Sequence, residues 1–220
     1  MNNPLIFVDP DGKDVILYNA KGEKVATITK SGTVIEKGME TQRILSAYTA
    51  SKVYLSKAGT TIFKEFENNS KQLEIKELIF SKNNKFNGDG VTELKMKDEV
   101  FESVKFKETS KLGEILWNPS YLLEDSQGNM HSPAMVLFHE LSHAKHFKDD
   151  KHQNIKDAVT IDKQYDTAEE RKNIPEVNDF AKKLNQVYSE KDGGDGVKFK
   201  RLDHGGKYHR AKHVTSNKRK

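Results

Sequence analysis

Two rhythms of apolar residues run along this chain, a period of two in short runs and a period near 3.6 in longer ones, and together they predict a mixed α and β architecture. Val15-Ile16-Leu17-Tyr18 and Val25-Ala26-Thr27-Ile28 are β-rich runs joined by Asn19-Ala20-Lys21-Gly22, whose glycine suits a hairpin turn. Ile44, Leu45, Tyr48, Val53, Tyr54 and Leu55, then Ile62, Phe63 and Phe66, follow a mostly helical spacing broken at Lys57-Ala58-Gly59. That pattern predicts two helices with a glycine turn between them. Strand character returns from Leu73 to Phe80, where apolar and charged residues alternate, and again at Glu93 to Met96, around Val104 to Phe106 and at Gly113 to Trp117, with a loop over 83–90. Ser132-Pro133 is a helix start, with Ser132 as N-cap and Pro133 at the first helical position of an apolar run through Leu141. A further helical segment spans Thr167 to Ile174. The fold class expected is α+β, a small mixed sheet with one central helix and a second helix downstream.

Composition narrows the chemistry. The chain has 220 residues, 35% of them hydrophobic and 32% charged, with a net charge of +4 and no cysteine. This length allows one domain, or a modest domain with an appended piece. Without cysteine, disulfide scaffolds, thiolate-bound zinc, iron–sulfur clusters and cysteine nucleophiles are all excluded, so any metal site must be built from His and carboxylate. The longest apolar runs, such as Leu5 to Val8 and Met135 to Phe138, are too short for a membrane span or a signal-peptide core. Charge is interspersed everywhere except at the end, where residues 198–220 hold nine Lys or Arg against Asp203. Such a stretch can bind nucleic acid, an acidic substrate or a membrane surface, but a solvated basic end is the simpler expectation.

The run that carries chemistry is His139-Glu140-Leu141-Ser142-His143. On a helix, positions i and i+4 project from one face a turn apart, so both imidazoles can reach one ion, while the glutamate at i+1 can serve as a general base for a metal-bound water. Zinc, Zn2+, is the ion such a set most often holds. Two protein ligands do not close a zinc site. His146 lies too close along the same helix and is read as solvated or as a supporting residue. A glutamate from a later helix is the usual completion, and Glu169 and Glu170 lie in the segment Thr167-Ala168-Glu169-Glu170. Because Thr167 and Glu170 also fit a capping box, Glu169 is the expected ligand and Glu170 the expected cap. Asp162, Asp166 and Glu176 are weaker alternatives. Gly113 to Pro119 is either an edge strand able to pair with an extended peptide or an interior strand with Trp117 in the core. Tyr165, Tyr188, His204 and Tyr208 are candidate donors to an oxyanion, with His204 and Tyr208 preferred because Gly205-Gly206 between them allow close backbone approach.

Two resemblances bear on function. Pro4, Asp9, Pro10 and Gly12, set around the apolar run Leu5 to Val8, resemble the segment that closes the core of Rhs/YD-repeat proteins, although Lys13 stands where that family usually has Leu. Trp117-Asn118-Pro119, Ser132-Pro133-Ala134, the His139-Glu140-Leu141-x-His143-Ala144 core and Glu169-Glu170 followed by Asn178 resemble the NleD-type effector zinc metallopeptidases. That likeness covers roughly residues 40–185, with Lys172-Asn173 and Val177-Asn178 departing from the family's pattern.

The resemblances imply a zincin-like fold and a zinc-dependent endopeptidase, carried as the C-terminal toxin of an Rhs scaffold. It would be secreted or delivered into a target cell without a signal peptide of its own. The partners implied are a protein substrate in that cell, a cognate immunity protein and the parent scaffold, with no membrane span and no nucleic acid. The organisation expected is an Rhs motif over 1–12, a β-hairpin connector over 13–38, the peptidase domain over 39–196 and the basic tail over 197–220. The alternatives are a nucleic-acid-targeting toxin acting through its His-rich tail and an inactive structural cassette.

Overall fold

Val15–Tyr18 (β1) and Lys24–Thr29 (β2) pair antiparallel around a turn in which Gly22, at φ +77, donates its N–H to the Asn19 carbonyl at 2.9 Å. Only glycine takes that backbone conformation without strain. The Asn19 side chain adds bonds from the N–H groups of Lys21 and Glu23, so the whole turn is satisfied locally. These features belong to a computed structural model that describes residues 14–69, 71–78, 111–125, 130–192 and 206–210. The segment resembling the Rhs motif, the strands expected at 93–96 and 104–106, and His204 lie outside those residues.

Gly32–Ile35 (β3) extends the hairpin on one side, and on the other β1 pairs in parallel with Gln72–Glu77 (β4). Lys111–Trp117 (β5) then pairs in parallel with β4, giving among the described residues a five-stranded mixed sheet of order β3-β2-β1-β4-β5. The chain is α+β, as expected. β5 is therefore an outer strand among the described residues, yet its Trp117 is fully buried, so both readings of this segment hold in part.

Between the strands come the two expected helices, Arg43–Ser56 (α1) and Ile62–Glu67 (α2), separated by Gly59 at φ +83. Ile44, Leu45, Tyr48 and Leu55 of α1 join Ile62, Phe63 and Phe66 of α2 in one core with Val15, Leu17, Leu73, Ile75 and Ile115 of the sheet. Full burial of each such side chain is worth roughly 1.5 to 3 kcal/mol relative to exposure. Charged pairs tie the rim of this layer together. Arg43 Nε donates to the buried Glu77 at 2.6 Å, and Lys52 reaches the buried Glu67 at 2.5 Å.

After β5 come Tyr121–Asp125 (β6) and Met130–His131 (β7), then Pro133–Asp149 (α3). The Ser132 hydroxyl caps α3 by accepting from the Met135 N–H at 3.2 Å, and Pro133 opens its first turn, as the sequence predicts. All ten residues from Met135 to Ala144 are buried. A helix covered on every side has neighbours all round it. Here they are β5, β6, α1, α2 and two further helices, Lys151–Val159 (α4) and Ala168–Asp192 (α5), which a small antiparallel ladder of Ile161–Asp162 (β8) with Asp166–Thr167 (β9) connects.

α4, β6 and the long continuation of α5 past Pro175 were not anticipated. Nor was Gly206–Arg210 (β10), a piece of the basic tail that pairs antiparallel with β6, Tyr208 opposite Leu123. That part of the tail is an element of the fold. Among the described residues no helix is long and apolar enough to cross a membrane.

The start of α3 is anchored to the sheet by Trp117, whose indole N–H donates to the Pro133 carbonyl at 2.9 Å. Asn118 locks the adjacent strand end by donating to the Leu78 carbonyl at 2.7 Å. Trp117→Phe is expected to lower the unfolding free energy by about 1 to 3 kcal/mol, through the lost hydrogen bond and the smaller ring. Urea titration of the two proteins measures it, and an unchanged midpoint and slope would remove this anchor from the account.

Candidate metal centre

His139 and His143 lie one turn apart on the side of α3 that meets α5, and their rings stand nearly perpendicular with centroids 4.5 Å apart. Their Nε2 atoms approach to 2.9 Å. Two ring nitrogens at that distance share a proton or a cation, since two lone pairs alone would repel. The facing helix α5 supplies the rest. Its start is set by Thr167, whose hydroxyl accepts from the Glu170 N–H at 3.1 Å, half of the expected capping box.

The two carboxylates that follow take different positions. Glu170 Oε1 lies 3.0 Å from His143 Nε2, and Oε2 lies 3.7 Å from His139 Nε2. Among the described residues, His139, His143 and Glu170 form the group that could hold a metal ion, each offering one donor atom with all of these within 4.8 Å of one another. Glu169, expected as the ligand, lies instead on the far side of the His143 ring, against Nδ1. It also meets His146 Nδ1 at 2.9 Å and accepts from Asn154 Nδ2 of α4 at 3.4 Å. His146 completes an outward chain by bonding Glu176 at 3.2 Å. Its reading as a supporting residue agrees with this position.

All the groups at the centre are buried: His139, Glu140, His143, Glu169, Glu170 and Asn173 are each no more than 9% exposed. Asn173, one turn beyond the glutamate pair on α5, is fully buried with its amide nitrogen 2.9 Å from His143 Nε2 and 3.3 Å from both His139 Nδ1 and the His139 carbonyl. Sequence reasoning noted Asn173 only as a departure from a family pattern. The i+3 and i+4 spacing from Glu170 and Glu169 was the signal that places it on the same face.

Electrostatics follow from this packing. Burial alone would push the His143 imidazole down, but the Glu169 and Glu170 carboxylates beside it together outweigh burial and hold it well above 6.5. Conversely, burial would raise Glu169, and hydrogen bonds from His143 and His146 overcome that and bring it to about 2. His146 is raised, chiefly by its bond to Glu169.

The donor set fits a divalent zinc-type ion. It offers two imidazole nitrogens and a carboxylate oxygen, and with Glu169 against Nδ1 a neutral His143 would keep its proton there and present Nε2 to an ion. Glu140 is on the same helix turn as His139 and is buried. Three of the other candidates have partners of their own. Tyr188 stacks on Tyr54 and donates to its carbonyl at 3.2 Å, the Tyr165 N–H donates to Asp162 at 3.0 Å, and Asp162 pairs with Arg171 at 3.4 Å.

Compared with known proteins, residues 34–196 match the model of a family described as effector protein, Peptidase_M91. No curated protein and no solved structure matches the chain.

The His143 and Glu169 pair makes a testable contribution to stability. The depressed Glu169 stabilises the fold fully above its ordinary value of 4.5 and loses that contribution as pH falls toward about 2. The raised His143 stabilises it fully below 6.5 and loses it as pH rises through the folded value. These are two views of one interaction, largest between pH 4.5 and 6.5. In the presence of chelator, Glu169→Gln is expected to destabilise the protein most in that window, by roughly 3 kcal/mol, and less on either side. Thermal unfolding against pH reads this directly, and a deficit that does not vary with pH would contradict it.

Proposed function

From the premise that this chain belongs to the Peptidase_M91 family of effector proteins, we propose that it is a zinc-dependent endopeptidase acting on a protein inside a target cell. The observation that carries the reading is the convergence of His139 Nε2, His143 Nε2 and Glu170 on one buried point between α3 and α5. In this reading those three residues are the ligands, and Glu169 orients His143 through Nδ1. A zinc ion, when bound, supplies a Lewis acid that polarises the scissile carbonyl and lowers the pKa of a water to about 7.

The remaining steps belong to the chain's own residues. Glu140, next to His139 on the same turn, takes the proton of the attacking water and returns it to the leaving amine. Burial of the helix pair keeps bulk water from the ligands and strengthens every electrostatic contact there. β5, an outer strand among the described residues, offers main-chain groups with which an extended substrate can pair, close to the start of α3 through Trp117. Tyr208 and His204 remain the proposed donors to the oxyanion.

Delivery as the C-terminal part of an Rhs-type protein, with a cognate immunity protein, is part of the same proposal. It is supported by the sequence around Pro4 to Gly12.

Two outcomes test this. Glu140→Gln is expected to keep zinc at wild-type stoichiometry while cleavage falls by about 10² to 10⁴-fold, scored by a proteomic search for new protein termini in cells expressing each form. Full activity in that variant would exclude the mechanism. Metal analysis separates the two carboxylates: His139→Ala and Glu170→Gln should lose zinc, whereas Glu169→Gln should retain one ion at about 10 to 100-fold lower affinity.

A further inference from the structure

Asn173 is the one fully buried polar side chain at the centre for which a liganding or catalytic role has not been assigned. Its amide nitrogen faces three groups at once: His143 Nε2 at 2.9 Å, and His139 Nδ1 and the His139 carbonyl, each at 3.3 Å. Its carbonyl oxygen Oδ1 is buried without a hydrogen-bond partner among the described residues. The two ends of an amide have the same size, so hydrogen bonding decides which end faces a given neighbour.

That decision changes when an ion is bound. With zinc on both Nε2 atoms, neither ring nitrogen there can pair with the amide, and His139 must carry its proton on Nδ1. An Nδ1–H set 3.3 Å from an amide NH2 puts donor against donor. Turning the amide by half a revolution puts Oδ1 in that place, where it accepts the proton, at the expense of the bond to the His139 carbonyl.

We infer that Asn173 is a positioning residue for His139: with zinc bound, its Oδ1 accepts the His139 Nδ1–H and so fixes the tautomer and ring orientation that present Nε2 to the ion. Glu169 performs the same service for His143, so α5 contributes one supporting group to each imidazole as well as the ligand Glu170. All three residues lie within five positions of one another on a single helix face. This inference rests on the ligand set proposed above.

The experiment compares wild type, Asn173→Leu, which keeps the volume and removes the acceptor, and Asn173→Asp, which keeps an acceptor oxygen in place. Zinc affinity is measured by competition with a chromophoric chelator, and the His139 tautomer in the zinc-loaded proteins by long-range 1H–15N correlation spectra. The Leu variant is expected to bind zinc about 10 to 100-fold more weakly, and the Asp variant at least as tightly as wild type, with Nδ1–H retained on His139 in wild type and Asp. Wild-type affinity in the Leu variant overturns the inference. If the Leu variant does not fold, a folded Asp variant about tenfold weaker than wild type overturns it, and one equal or tighter supports it. If wild type itself binds no zinc, the ligand set fails and this inference falls with it, an outcome distinct from normal wild-type binding that is indifferent to residue 173.

Discussion

The contact between α3 and α5 depends on a cluster of polar groups that neither helix could bury alone. α3 is covered on all sides through its middle turns, and His139, Glu140 and His143 sit inside that covered stretch. An unpaired imidazole or carboxylate there would cost several kcal/mol, enough to cancel much of the stability of a domain of this size. α5 answers with Glu169, Glu170 and Asn173, so both buried imidazoles meet polar partners across the helix interface. The compensation is electrostatic as well as geometric. Without an ion, the raised His143 carries the positive charge that its two carboxylate neighbours require. A divalent ion held there would take over that charge and release the proton, which would couple metal binding to the integrity of this interface.

Such a site needs supports that do not shift. The Trp117 indole ties the start of α3 to β5, Ser132 caps the same end, and the parallel β4 and β5 pair continues through the Asn118 bond to Leu78. From the other direction α4, joined to α5 by the Lys172 and Asp157 ion pair, delivers Asn154 to Glu169. Glu169 is therefore held from two neighbouring helices, α3 and α4, and the chain through His146 to the exposed Glu176 connects the buried cluster to solvent. Ligands positioned from helices whose own termini are fixed hold their geometry more tightly than ligands on loops.

Much of this was legible in the sequence because the informative features are local. The His139 and His143 spacing, the Ser132-Pro133 start, the Gly22 hairpin and the Gly59 break each follow from a rule that spans a few residues, and each is where it was expected. The misses share the opposite property. α4 buries Asn154 and Asp157, so a search for apolar periodicity finds no face to bury. α5 runs on past Pro175, where the preference of the residue before proline for extended backbone argues for a stop, because Val177, Phe180, Ala181 and Leu184 pack into the core and outweigh that preference. β10 lies in a stretch whose basic composition hides a strand that exists only through pairing with β6, more than eighty residues away.

The order of the glutamate pair was the subtlest case, and its physical basis is helical geometry. Consecutive residues on a helix diverge by roughly 100°, so adjacent carboxylates cannot approach a target from the same side. They can straddle it. Glu169 and Glu170 close on the His143 ring from its two nitrogens, Nδ1 and Nε2, with the ring lying between them. Only the residue on the Nε2 side also faces His139, so the pair divides into one group placed to orient an imidazole and one placed where an ion could be shared. The capping rule correctly identified the Thr167 hydroxyl as partner of the Glu170 N–H, but that bond involves the backbone of Glu170 and leaves its side chain to serve the site. A glutamate can thus occupy the capping-box position by its main chain and the metal centre by its carboxylate, and the sequence pattern for the first carries no information against the second.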